Sequence, residues 1–542
     1  MQVSATPSDF PQATHRSAPA WRHPILGWLR AALLMGAAAL SGCAVMVEPP
    51  TGRSDSQALP AAASSPLGRV AAQAGLAEGE SGLQPISQAS HALDARIELI
   101  RRARASIDLQ YYLIGDDATG RLLLRELRDA ALRGVRVRLL LDDMYTDGMD
   151  PLLLALASYP NAQVRVFNPF FGAGRSSPGR LMSLATDFSR LNHRMHNKLF
   201  LADSAFAVAG GRNIADEYFL RSQVANFLDL DVLLVGPVIP QLSSIFDRYW
   251  NSGHAYAIQQ VTAVRAGEAE LRAGFDLETG ASAAYEAPAG LDANGLPALG
   301  RQLDAGTLAL VHAPVTAFAD DPQKVGGAAA SGDLSGTATH RFFQAFREAR
   351  SEVLVYSPYF VPGRQGMAQI REARDHGIAI RVVTNSLASS DVPLASYRYQ
   401  QYREELLRMG AELYEISSPE LMKDDSLKRV LGRSQARLHA KLAVVDRRTV
   451  LLGSVNMDPR SARTNTELGL QVSSPQFAAA VLNLFRAEGR AGALQVRLAP
   501  DGRQLEWYSP ASGQTYASDP EGGALNRMRL YLMSLFVPEA LL

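Results

Sequence analysis

Apolar residues from Ala92 to Ala105 recur at helical spacing, and the next stretch, Ser106 to Ile114, alternates polar with apolar as a strand does. Helical spacing returns from Gly120 to Leu132, and Gly134 to Leu141 reads as a second strand, closed by Asp142 and Asp143. Strand, helix and strand in that order predict parallel neighbours, because a crossover helix is what returns the chain to the same end of a sheet. The order recurs: Phe342 to Arg350 is helical, Val353 to Phe360 a strand, Gly366 to His376 a helix and Gly377 to Val383 a strand. Gly134 and Gly377, each opening a strand after a helix, are 243 positions apart. The chain is therefore predicted to be α/β, built from two copies of one unit.

Outside the copies the pattern weakens. Arg16, Arg22 and Arg30 precede or enter an apolar stretch that ends in Leu40-Ser41-Gly42-Cys43, too short and too interrupted by charge for a comfortable transmembrane helix. This end resembles a bacterial lipobox, which implies a signal peptide over 1–42 and a diacylglyceryl group on Cys43. Residue 44 is Ala, not the Asp of an inner-membrane retention signal. The resemblance thus implies a lipid anchor in a bacterial membrane facing the periplasm, with the outer membrane favoured. Residues 43–90, rich in Pro, Ala, Gly and Ser, read as a flexible tether. The two copies are placed at 91–260 and 337–492, with a weakly patterned connector at 261–336 and a hairpin plus amphipathic helix at 493–542. That last helix is expected to pack its apolar face on the core.

Composition narrows the chemistry. Among 542 residues, 54 Lys and Arg balance 54 Asp and Glu, and there is one cysteine. A disulfide scaffold, a wholly disordered chain and a strongly basic nucleic-acid binder are excluded. Removing residues 1–42 takes away three Arg and one Asp, which leaves 51 basic against 53 acidic residues. Only five lysines occur, at 198, 324, 423, 428 and 441.

Two of those lysines sit in one repeated motif. His196-Asn-Lys198 with Asp203 five residues on recurs as His439-Ala-Lys441 with Asp446, the histidines again 243 apart. His and Lys at i and i+2 of a strand share a face, so each copy aims both at one point. Asn213 and Asn456 each follow their histidine by 17 residues, Ser454 lies beside the second, and aligning Pro237 with Pro475 pairs Asp229 with Glu467.

These motifs, with Gly210-Gly-Arg-Asn-Ile-Ala-Asp-Glu-Tyr-Phe219, Ser357-Pro-Tyr-Phe-Val-Pro362 and Asn456-Met-Asp-Pro-Arg-Ser461, resemble the phospholipase D superfamily. The flanking motifs resemble its cardiolipin synthase branch, C-type bacterial members. The resemblance implies two α/β/α repeats forming a pseudo-twofold bilobal enzyme with one shared active site. It implies His196 as nucleophile, through a phosphohistidine, and His439 as general acid and then base. Lys198, Lys441, Asn213, Asn456 and Ser454 would hold phosphoryl oxygens, and Asp229 and Glu467 would each bond the outer ring nitrogen of a histidine. The implied reaction is phosphatidyl transfer to phosphatidylglycerol, with phosphatidylethanolamine a possible donor. Hydrolysis of phospholipids, and a nuclease of the same superfamily, are alternatives on the same chemistry; the charge balance disfavours nucleic acid.

Asp203 and Asp446 belong to the motif's catalytic signature, but five residues after Lys they face away from it, and a structural salt bridge is expected there. His193, Tyr112, Asp142 and Tyr359 either line the mouth or pack. Lys324, Lys423 and Lys428 are expected in solvent. No His or Cys cluster has metal-ligand spacing, so neither a metal nor another cofactor is expected.

Overall fold

The helix expected from Ala92 runs Ala89–Arg102, and the helix after it, Ala118–Leu132, is capped by Asp117, whose side chain accepts the Gly120 N–H at 2.9 Å. Gly134 ends that helix at φ +91°, with its own N–H on Ala131 O and the Val135 N–H on Ala130 O. Gly377 ends Gly363–Asp375 identically, at φ +80°, with bonds to Arg374 O and Ala373 O. The two glycines that mark the repeat are thus paired helix terminators in the left-handed region that favours glycine.

The computed structural model describes residues 54–541 except 281–284, 328–333, 424–427, 429–430 and 489–491. Residues 1–42, where a signal peptide is expected, and Cys43 lie outside the described residues. In chain order the strands of the first half are β1 Ser81–Ile86, β2 Ser106–Tyr111, β3 Arg136–Asp142, β4 Ala162–Phe167, β5 Leu199–Ala202, β6 Phe206–Gly210, β7 Ala225–Leu228, β8 Asp231–Val235, β9 Ala255–Ala257 and β10 Val311–Ala313. Those of the second are β11 Val315–Ala319, β12 Glu352–Tyr356, β13 Ala379–Asn385, β14 Glu412–Ile416, β15 Gln435–Leu438, β16 Leu442–Val445, β17 Thr449–Gly453, β18 Leu468–Ser473, β19 Ala493–Leu498, β20 Leu505–Tyr508 and β21 Thr515–Tyr516.

Among the described residues these form a nine-stranded sheet, a ten-stranded sheet and a two-stranded ladder. The first sheet contains the order β8-β6-β5-β2-β3-β4 and the second the matching order β18-β17-β16-β12-β13-β14. Within each, three strands are mutually parallel, β2-β3-β4 and β12-β13-β14, as the crossover helices require. The ladder joins the halves: β7 pairs in parallel with β15, from Ala225 opposite Gln435 to Leu228 opposite Leu438. One apolar core also spans both sheets, with Leu199, Leu201, Val232 and Trp250 in the same cluster as Leu442, Val444, Leu452 and Leu470. The lobes are fused through buried apolar surface.

Three boundary expectations are corrected. From residue 54 the predicted tether is bound to the first lobe: Arg138 donates to Ser56 O at 3.0 Å, and β1 is buried between β8 and β10. The connector is not merely a link, since β10 edges the first sheet and β11 the second, with Pro314 between them. Strands of three to six residues rich in Ala, Gly and Pro carry little periodicity, and their pairing partners are far away in sequence. At the other end, the hairpin strands β19 to β21 extend the second sheet, but the helix Ala524–Ser534 and the residues just after it do not bury their apolar face: Leu530 is buried, while Leu525 in the helix and Phe536 beyond it are 85% and 84% exposed.

Candidate active site

His196 and Lys198 lie immediately before β5, beside the carboxyl end of β2, and His439 and Lys441 lie before β16, beside the carboxyl end of β12. Each histidine is fixed by the other lobe. The His196 N–H donates to Thr466 O at 2.9 Å, and its Nδ1 is 2.9 Å from Glu467 Oε2. Symmetrically, the His439 N–H donates to Leu228 O at 2.8 Å, and its Nδ1 is 2.6 Å from Asp229 Oδ2. The carboxylates expected to orient the rings do so, but crossed between repeats. With Nδ1–H on a carboxylate, each ring turns its Nε2 lone pair into the site.

All four motif side chains are buried, as are Asp229 and Glu467. Burial drives both imidazoles down to about 4, against the upward pull of the carboxylates, so both rings are neutral near pH 7. Burial also brings Lys441 down to about 8, and burial together with Lys441 takes Lys198 well below its ordinary value. That Lys441 acts on both His196 and Lys198 ties the two motifs into one site. Asp229 is held at about 2, chiefly by His439 working against its own burial, and Glu467 is likewise lowered by His196. Each lysine folds back to donate to its own histidine's carbonyl, Lys198 to His196 O at 2.7 Å and Lys441 to His439 O at 2.6 Å. Four buried ionisable groups pressed toward neutrality make a site that gains when an anion enters.

The asparagines are poised for such a ligand. The amide oxygens of Asn213 and Asn456 are buried with no hydrogen-bond partner. Asn213 Nδ2 donates to Tyr218 OH at 2.9 Å; turning the amide over lets Tyr218 donate instead and frees the NH₂ for an anionic oxygen. Aromatic rings flank both histidines: Tyr112 meets His196 edge-on at 5.0 Å, and Tyr218 and Phe227 pack on His439 at 5.0 and 4.8 Å.

Other expected residues lie elsewhere or do something else. Ser454 spends its hydroxyl proton on Glu467 and accepts the Leu468 N–H at 2.9 Å, so it positions a carboxylate and is not free for a phosphoryl oxygen. At the equivalent Gly211, an added Cβ would lie 2.1 Å from Asp229 Oδ1, so the repeats differ there because Asp229 needs the space. Asp203 bonds the turn before β2 and not the His and Lys of its motif, and forms no salt bridge among the described residues. Its Oδ1 accepts the N–H groups of Arg104, Ala105 and Ser106 at 3.0, 2.8 and 3.1 Å, holding the turn into β2. Asp446 does the same for Arg350, Ser351 and Glu352 before β12. Asp142 is a strut, bonded to Arg194 Nε at 2.8 Å and to Met195 N at 2.8 Å just before the histidine. Tyr359 bonds Asp391, and His193 donates to Ser189 O at 2.7 Å. Lys324 is not in solvent: it is buried against Asp320 Oδ2 at 2.8 Å, and Asp320 in turn accepts the Glu467 N–H.

Ser461, within the Asn456–Ser461 motif, donates to Glu467 Oε1 at 2.7 Å and so positions the carboxylate that holds His196, a role that motif spacing alone does not reveal. Among the described residues no group of His, Cys, Asp and Glu is arranged to hold a metal ion.

The family model for the cardiolipin synthase PLD-like domain matches residues 96–250 and 342–488, the segments that carry the two half-sites. Cardiolipin synthase C of Escherichia coli (strain K12) is 39% identical over 434 residues, which is 79% of this chain and 89% of that protein. The chain belongs to the cardiolipin synthase family of phospholipase D-like proteins. An uncharacterized protein of Helicobacter pylori is 32% identical over 71% of this chain and 75% of its own length. The crystal structure of phosphatidylserine synthase from Haemophilus influenzae Rd KW20 superposes with a TM-score of 0.55 at 15% identity, covering 85% of this chain and 95% of that one, a likeness of fold. In this cardiolipin synthase family member, the two motif histidines are each hydrogen-bonded by a carboxylate of the other repeat.

Proposed function

We propose that the protein transfers a phosphatidyl group between phospholipids, with phosphatidylglycerol as acceptor and cardiolipin as product. The arrangement that carries this reading is the pair of neutral imidazoles, each clamped through Nδ1 by the opposite repeat and buried together with the two lysines, Lys441 acting on both His196 and Lys198. A phosphodiester anion entering there favours a second positive charge, and His439 takes up a proton. His196 Nε2 attacks phosphorus; the N–P bond forms, the P–O bond to the leaving headgroup breaks, and His439 gives its proton to the departing alkoxide. His439, neutral again, removes the proton of the acceptor hydroxyl as that oxygen displaces His196. Lys198, Lys441, Asn213 and Asn456 stabilise the charge on the phosphoryl oxygens. No step is assigned to a metal or other cofactor, and turnover is expected to withstand chelators.

Transfer is favoured over hydrolysis because His196 and His439 are only 7% and 4% exposed, so the intermediate is shielded from bulk water. Phosphatidylethanolamine is the proposed donor. Residues 1–42 are proposed to be a cleaved signal peptide and Cys43 a lipid anchor facing the periplasm, in the outer membrane. No helix among the described residues is long and apolar enough to cross a membrane. The test is incubation with defined phospholipid pairs and resolution of the products by mass. Cardiolipin formed from phosphatidylglycerol and a donor supports transfer; phosphatidic acid as the dominant product favours hydrolysis, and absence of both overturns the phospholipid reading.

A further inference from the structure

Exposed large apolar side chains gather on a few segments of this surface. Seven of them, among them Leu525, Met528, Leu532, Leu535 and Phe536, lie within twelve positions on and just beyond the C-terminal helix Ala524–Ser534. The helix is not a frayed end. Before it, Glu521 accepts hydrogen bonds from Ser386 and Ser417; after it, Arg398 donates to Ser534 O at 2.7 Å and Val537 O at 3.1 Å, and Tyr402 donates to Glu539 at 2.7 Å. These ties seat it on helix Pro393–Gln400 with Leu530 inward and the apolar face outward. A held apolar face of this size marks an interaction surface.

Topology puts that face on the catalytic side. Helix Pro393–Gln400 follows the carboxyl end of β13, the end at which the parallel strands present the active site. The first lobe contributes a counterpart after the carboxyl end of β4: Leu181 is 73% and Met182 65% exposed on Ser177–Thr186, and Phe188 follows. That segment leads through Asn192, bonded by Arg460 at 2.8 Å, directly to His196. Half-exposed Tyr145, after β3, stacks edge-on against Tyr112, the ring that meets His196.

We infer that these two apolar segments, one from each lobe, form a docking surface for an anionic lipid bilayer that sets the catalytic space against the membrane. Charge selects this occupant. Ala524–Ser534 carries Arg527 and Arg529 and no acidic residue, the composition of a helix lying in an anionic interface. A second copy docked on the same patch would bring those arginines toward their own kind. The inference deepens the phospholipid reading of the site, and vesicle contact is read without turnover, so the failure of either is recognised separately.

The lone cysteine makes a direct test available. In the full chain carrying Cys43→Ala, single substitutions Phe536→Cys, Leu181→Cys and Leu277→Cys receive an environment-sensitive fluorophore; Leu277 is 80% exposed on the outer helix Glu268–Gly280. With vesicles of phosphatidylglycerol and phosphatidylcholine, emission at 536 and 181 is expected to rise at least twofold and shift to the blue, while 277 stays unchanged. The rise should shrink severalfold on phosphatidylcholine alone or in Arg527→Gln/Arg529→Gln. No change at 536, an equal change at 277, or a blue-shifted signal at 536 that depends on protein concentration without vesicles overturns the inference. In a second arm, Leu532→Ser/Phe536→Ser is expected to slow turnover of bilayer substrate at least tenfold and leave turnover of a monomeric short-chain phosphatidylglycerol within twofold. Equal loss on both substrates would mean that the helix only supports the fold.

Discussion

Asp229 grips His439 at 2.6 Å across 210 positions of sequence, although the histidine of its own repeat is His196. Glu467 completes the exchange by holding His196. Each repeat therefore supplies one histidine of the pair and depends on its twin for the carboxylate that orients it.

This crossing predicts a leaving-group signature. Asp229→Asn disturbs the tautomer and charge of His439, so turnover of a natural alkoxide donor should fall by about 10²–10⁴-fold. A p-nitrophenyl donor, whose leaving group needs no proton, should recover most of the loss in the first step, read as kcat/KM for the donor or as a burst of p-nitrophenol, while transfer to the acceptor stays slow because His439 is also its base. Glu467→Gln acts on His196 and should slow both donors alike. If the p-nitrophenyl donor rescued the Glu467 variant and not the Asp229 variant, the proposed roles of the histidines would be reversed.

The histidines also leave a mark on stability. Their native values near 4 lie below the unfolded value near 6.5, so between these pH values the unfolded chain binds more protons than the native one. Stability is fully present above pH 6.5 and falls as pH drops toward 4, by about 3 kcal/mol per histidine across the window. Denaturant titrations at pH 7 and pH 5 should show this loss, and His196→Ala/His439→Ala should flatten it. Asp229, held at about 2, contributes its own pH dependence below that window.

Lys441, lowered to about 8 by burial, sets a basic limb. The kcat/KM profile of the free enzyme should decline above about pH 8 as this ammonium is lost. In Lys441→Arg the cation persists at every accessible pH, so the limb should vanish even though the maximal rate is lower. A limb unchanged in that variant would assign it to another group.

The motif aspartates should separate stability from chemistry. Asp203→Ala strands three backbone N–H groups at a buried turn and is expected to cost about 2–4 kcal/mol. Asp446→Ala opens an exposed turn and should cost less, about 1–2 kcal/mol. In both, specific activity per folded molecule should stay within a few-fold of the parent, measured below the unfolding transition.

What the sequence determined by itself was everything local or repeated. Helical and strand periodicity, terminating glycines at 134 and 377 and the doubled His-x-Lys spacing each depend on residues a few positions apart, so the two α/β units and their chemistry were legible. Aligning Pro237 with Pro475 even identified both orienting carboxylates. Tertiary structure alone decided which histidine each carboxylate holds, because that follows from the β7–β15 ladder and a core shared between lobes, which join segments more than 200 residues apart. It also decided that Ser454 serves Glu467, that Lys324 is buried, and that the aspartates of the motif brace turns. The C-terminal helix makes the same point: its amphipathic pattern guarantees an apolar face, and only the hydrogen bonds that seat it outward determine that this face meets the surroundings and not the core.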